Sequence, residues 1–453
     1  MTRDMTEGKP LTLILQFCIP MLIGNLFQQF YNMVDSMIVG KFVGVDALAA
    51  VGSTGAVNFL VIGFVTGCAS GFAIPVAQRF GAGDYSAMRK HTANAFYLSV
   101  IITVVMTTLT MIFTRDMLVL TKTPDDIIDY AYDYIIIIFG GIAVTMLYNI
   151  LASILRALGD SRTPLIFLAI ASLLNVALDF LFVVGFKMEC AGAGWATVIA
   201  QAVSAVLCLI YMKRKYPILT FAKSELKPEG QCCGTLLKIG LPMAFQFSIT
   251  AIGSIILQTA VNSLGSGIVA AVTAANKIQM IAMQPMETMG VTLATYGGQN
   301  LGAGKIPRIK QGIRESTIVT LIYSAAAFAA VALLGQYIAL LFIDADQTAI
   351  LGDVKTFLRI NGMFYPVLAI LFILRNSLQG LGYSLLPMMA GVCELAARTA
   401  VAFLLVGHFG YMAICIASPT AWIAAVILLC LTYFSKMKKL YSDYNANRQS
   451  VSA

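Results

Sequence analysis

Asp35 and Asp179 each lie inside a long apolar run, in Gln28-Gln29-Phe30-Tyr31-Asn32-Met33-Val34-Asp35-Ser36 and in Asn175-Val176-Ala177-Leu178-Asp179. A charged group in an apolar span is costly and marks a functional site by default. Asn175 and Asp179 are four residues apart, which puts them on one helix face. Facing Asp35, they would form a pocket of two carboxylates and an amide. Like charges in a low dielectric resist joint ionisation, so one carboxyl can carry a proton near neutral pH. The same oxygens can hold a sodium ion instead. The plain alternative is an aspartate near a membrane face that only caps or snorkels. Gln28 and Tyr31, in the same run as Asp35, are candidates for that pocket as an ion or substrate site. Pro20, earlier in the run, frees a backbone carbonyl and permits a helix bend, which Asp35 protonation would alter or which is simply static.

A second set of candidates lies in Gln284-Pro285-Met286-Glu287-Thr288-Met289. Glu287 would attract a cationic molecule if it faced a cleft, with Gln284, Met283 and Met286 as a soft, adaptable wall. Core packing for the methionines, and Lys277 as a partner for Glu287, are the alternatives. Glu394 and Arg398, four apart, are expected to pair within one helix. No catalytic residues are expected. His91 and His408 are the two histidines, both near span ends. The 9 cysteines have no metal-ligand or disulfide spacing and read as core filler. No metal or cofactor motif is present, apart from possible sodium at Asp35, Asn175 and Asp179.

The elements that must position these residues are membrane spans. The chain has 453 residues, 59% hydrophobic and 11% charged, against about 25% charged in soluble proteins. A span needs about 20 apolar residues. Twelve such runs occur, near 13–38, 48–78, 92–114, 126–155, 165–186, 192–212, 239–264, 268–296, 316–342, 354–374, 387–407 and 411–434. The fold class is therefore an all-α membrane protein. With the N-terminus inside, most basic residues, from Arg3 and Lys9 through Lys213-Arg214-Lys215 and Arg375 to Lys436, fall on the cytoplasmic side. Lys41, Arg115, Lys122, Lys187 and Lys355 lie opposite. This bias places both termini in the cytoplasm. It accounts for the net charge of +8 through anionic lipid, so nucleic acid is not an expected partner.

The chain is also internally duplicated. Pro20-Met21 matches Pro242-Met243, and Ala49-Ala50-Val51 matches Ala270-Ala271-Val272. Gln78 with Gly81-Ala82-Gly83 matches Gln299 with Gly302-Ala303-Gly304. Leu155, Gly159, Ser161 and Pro164 match Leu378, Gly382, Ser384 and Pro387. The offset stays between 221 and 223. The expected domains are an N-terminal lobe of six helices (1–212), a cytoplasmic linker (213–237) and a C-terminal lobe of six helices (238–453). Six spans per half make the repeats parallel. Two such lobes around a central cleft suit alternating access, and hence transport. At the repeat offset Asp179 falls on Ala402 and Asn175 on Arg398, while Asp35 falls beside Leu257 and Gln258, so ion chemistry is expected in the N-terminal half alone.

Together these residues resemble the multidrug and toxic compound extrusion (MATE) family. The resemblance rests on Pro20 to Asp35 running into Val39-Gly40-Lys41-Phe42-Val43-Gly44, on Ala77-Gln78-Arg79-Phe80-Gly81-Ala82-Gly83, and on Arg156-Ala157-Leu158-Gly159-Asp160-Ser161-Arg162-Thr163-Pro164 followed by Asn175 and Asp179. It implies a multi-pass protein of the bacterial inner (plasma) membrane. Such a protein would export drug-like organic cations in exchange for protons or sodium and act as a monomer. The coupling residues would be Asp35, Asn175 and Asp179, with Asn149 and Thr197 completing the pocket. One branch also uses an acidic residue in span seven; Met243-Ala244-Phe245-Gln246-Phe247 has none, which favours coupling confined to the N-terminal lobe. The wider superfamily adds the alternative of a lipid or oligosaccharide flippase.

Overall fold

A computed structural model of the chain describes residues 4–121 and 123–452, so Arg3 and Lys122 lie outside it. Among the described residues the chain is helical, without strands. The long helices are α1 (Pro10–Phe42), α2 (Val45–Gly81), α3 (Tyr85–Leu120), α4 (Ile128–Gly140), α5 (Ile142–Ala157), α6 (Arg162–Asp179) and α7 (Glu189–Lys215). After a linker come α8 (Gly230–Asn262), α9 (Ser266–Gly302), α10 (Ile306–Ala339), α11 (Thr348–Met363), α12 (Tyr365–Gly380), α13 (Leu385–Ala400), the single turn α14 (Val406–Phe409) and α15 (Tyr411–Ser452). Ten are long and apolar enough to cross a membrane, and twelve spans result when two bent pairs each count as one.

The surface chemistry fits a lipid solvent. On α3, Thr92, Ser99, Thr110 and Thr114 are buried while Val100, Ile101, Val104 and Ile112 are exposed. Lipid reverses the soluble preference, because apolar side chains lose nothing there and hydroxyls must find partners. Thr110 Oγ1 donates to the Met106 carbonyl one turn back, at 2.8 Å.

The two bent pairs occupy equivalent places. α4 and α5 meet at 50°, α11 and α12 at 51°, where the sequence suggested two single spans. The causes differ. Gly140-Gly141 forms the first corner, and Pro366, which lacks an N–H, opens α12 at the second. α6 passes into a π-helical segment at Phe180–Gly185, and α13 into another at Val401–Leu405. The duplicated glycines close helices in one manner. Gly159 N–H bonds the Arg156 carbonyl and Asp160 N–H that of Leu155; Gly382 and Tyr383 do the same to Gln379 and Leu378. This six-to-one closure needs a left-handed residue after the cap, and Gly159 and Gly382 supply φ of 85° and 87°.

The contacts divide the chain into two compact units. One is built on Gln16–Ala251; the other combines Thr6–Leu15 with the chain from Ile252 onward. Each has its own apolar core. In the first unit, Gly67 and Gly71 let α2 and α8 touch backbone to backbone: a Cβ at either would sit within 2.6 Å of the Cα of Ala244 or Gly240. In the second, Lys305 Nζ bonds the Thr6 carbonyl and Arg308 that of Gly8.

The linker is held to α3. Arg89 grips Glu225 through Nε at 2.7 Å and Nη2 at 2.8 Å, Ser86 Oγ donates at 2.8 Å, and the Ala222 N–H donates at 2.9 Å. Asn94 Oδ1 accepts the Glu229 N–H at 2.9 Å. The Arg89 bonds, then the Ala222 N–H, hold the Glu225 carboxyl at about 2, below its ordinary 4.5. A depressed folded value means the stabilisation is full above 4.5 and is lost as pH falls through about 2. Glu225→Gln is therefore expected to cost roughly 1–3 kcal/mol near neutral pH, read as a lower thermal midpoint of the purified protein. The gap to wild type should narrow steadily on acidification; a gap that is constant with pH would contradict the assignment.

Candidate functional site

Asp35 comes from α1, Asn175 and Asp179 from α6, and Thr197 from α7, all in the first unit. Asp179 ends the α-helical part of α6, directly before the π segment, whose altered rotation re-aims the residues beyond it. The three carboxylate and amide side chains are buried, Asp179 completely. The Asp35 and Asp179 carboxyls are neighbours.

Asn175 links this pair to α7. In the amide orientation that satisfies both of its ends, its NH2 donates to Asp179 Oδ2 at 3.1 Å and its carbonyl accepts the Thr197 N–H at 3.1 Å. Among the described residues, one oxygen of each aspartate, Asp35 Oδ1 and Asp179 Oδ1, is buried with no partner. Buried acceptors are normally satisfied, so these two oxygens carry unmet bonding capacity.

Asn149 donates to the Thr145 carbonyl of its own helix at 2.9 Å, and Thr145 in turn bonds Gln201 at 2.6 Å. Gln28 is exposed on α1. The side chain of Tyr31 lies outside the described residues. Pro20 sits in α1, whose helix runs unbroken from Pro10 to Phe42.

In the second unit Glu394 bonds Arg398 along its own helix at 3.6 Å, as the spacing suggests, and also Arg375 of α12. Arg375, expected at a cytoplasmic span end, is buried. Glu287 is half-buried within electrostatic reach of Arg375. Lys277 stands over the Phe342 ring at 5.1 Å. Gln284 and Met286 are buried, and Met283 borders a cavity.

Sequence reasoning did not single out Asp160. Its Oδ1 accepts the N–H groups of Arg162 and Thr163 at 3.0 Å, capping α6, while Oδ2 accepts the Thr163 and Tyr216 hydroxyls at 2.6 Å. The signal was an Asp before Ser-Arg-Thr-Pro, a helix-start pattern. Asp160 thus fixes the origin of the helix that carries Asn175 and Asp179.

The chain matches the MatE family model twice, over residues 20–181 and 242–404. It is 28% identical over 386 residues to the probable multidrug resistance protein YpnP of Bacillus subtilis, covering 84% of each chain. It is 29% identical over 340 residues to the probable multidrug resistance protein YoeA of the same organism, covering 73% of each. A solved outward-facing structure of a multidrug resistance MATE family transporter superposes with a TM-score of 0.89 at 22% identity, covering 97% of this chain and 99% of that one.

Asn175→Leu removes both amide bonds at nearly constant volume. It is expected to cost about 1–3 kcal/mol, seen as a lower thermal midpoint. Asn149→Leu, which loses a bond within one helix, should cost distinctly less. Equal losses would count against Asn175 as the link.

Proposed function

The chain belongs to the MatE family and is a multi-pass membrane transporter, not an enzyme; from that premise we propose that it exports amphipathic, cationic organic compounds in exchange for protons or sodium. The observation that carries this reading is the buried Asp35–Asp179 pair, with one unpartnered oxygen on each. Two adjacent carboxylates away from water cannot both stay ionised without a counter-charge. A proton or a sodium ion would provide it, and Asn175 would keep Asp179 aimed at Asp35 in either state. Loading favours one conformation and release the other, so ion and drug are coupled through their preference for different states.

In this scheme α1 is the moving part. Pro20 weakens its hydrogen-bond ladder, and ion binding at Asp35 changes the bend there. The ion site belongs to the N-terminal lobe (1–212), with the 213–237 linker and the C-terminal lobe (238–453) completing an alternating-access machine. Gln28, Tyr31, Asn149 and Thr197 would border the ion or substrate path. Glu287, with Met283, Met286 and Gln284, would serve cationic, drug-like substrates. The relatives' names as multidrug resistance proteins support that substrate class. The protein would act as a monomer in the bacterial plasma membrane, with both termini cytoplasmic.

Vesicles containing the purified protein should accumulate or expel a fluorescent cationic drug when a pH gradient, or separately a sodium gradient, is imposed. Asp35→Asn should reduce ion-driven transport roughly tenfold or more while the protein stays folded. Full transport by this variant would sink the proposal. The gradient that drives the wild type identifies the ion.

A further inference from the structure

The second unit contains a cavity of about 280 Å³, which shares Met283 alone with the residues given above to cationic substrates. Arg398, Asn276 and Gln279 give it a polar side, and Met280, Met283 and Phe357 an apolar one; none of its lining residues is acidic. Arg398 lines this space with part of its bonding capacity open. Its contact with Glu394 is long, at 3.6 Å, because Glu394 turns its other oxygen to Arg375. Arg398 Nε is buried without a partner. An incompletely paired cation beside an acid-free cavity draws an anion. Gln279 Oε1 is also buried and unpartnered, and accepts a hydrogen bond from an N–H or O–H on the same molecule. The methionines and Phe357 suit an apolar body, and methionine adapts to varied shapes.

We propose that this cavity is a binding site for an amphipathic organic anion, with a carboxylate, sulfonate or phosphate at Arg398 and Asn276 and an aromatic or aliphatic body against Met283 and Phe357. Its polarity is opposite to that of the carboxylate site on α1 and α6. The duplication explains how this came about: the position of Asn175 is taken by Arg398, so one scaffold site carries an amide in one half and a cation in the other.

The test uses two probes with one ring system, pyrene-1-sulfonate and 1-pyrenemethylammonium, titrated by fluorescence into the full-length protein in nanodiscs, with empty nanodiscs subtracted. The wild type should bind the sulfonate saturably. Arg398→Gln should weaken the sulfonate by about tenfold and leave ammonium binding unchanged. Asn276→Leu, which leaves every ion pair intact and keeps the proposal testable if Arg398→Gln fails to fold, should weaken it several-fold. Asp35→Asn should leave sulfonate binding intact, so this site stands or falls apart from the coupling scheme. Sulfonate binding unaltered by Asn276→Leu, or abolished by Asp35→Asn, would overturn the proposal.

Discussion

A hydrocarbon solvent offers no hydrogen bonds, and the rest of this structure follows from that constraint. Every polar group placed in the membrane has to be answered by another part of the chain. Thr92, Thr110 and Thr114 of α3 bond back to their own helix and face inward. The helix ends near the repeated glycines close on themselves, with a left-handed residue bringing two N–H groups back to the last turn. Where an answer is missing, as at Asp35 Oδ1, Asp179 Oδ1 and Arg398 Nε, the unmet demand is itself informative. It leaves bonding capacity open inside the protein.

The two halves share a backbone and differ in charge. Both bend at the fourth span of the half by about the same angle, and both carry a π-helical segment in the fifth. The π segment therefore belongs to the scaffold, since it occurs with Asp179 at its start in one half and Val401, next to Ala402, in the other. Duplication leaves such geometry in place while side chains diverge. Asn175 has Arg398 as its counterpart, and Glu394 stands where the first half has Ala171. One half gathers carboxylates and the other gathers arginines around a glutamate.

Regions outside the spans are held by stronger and more specific bonds. The fork of Arg89 on Glu225, backed by Ser86 and the Ala222 N–H, fixes the linker to α3. Asp160 joins the start of α6 to Tyr216 beyond the end of α7. The helix that carries Asn175 and Asp179 is thereby anchored at its origin.

The sequence by itself determined the membrane class, the number of spans, the duplication and the rarity of Asp35 and Asp179. These follow from composition and local pattern, which lipid reads residue by residue. Only the tertiary structure decided which polar groups meet. Asp35 is far from Asp179 in the chain, and Thr197 joins Asn175 while Asn149 turns to its own helix. Spans apolar on every face carry little periodicity to show which side faces a neighbour, so the sequence could not orient them. For the same reason Arg375 reads as a charge at a span end, yet is buried against Glu394. Its partner lies on a helix that only folding brings near.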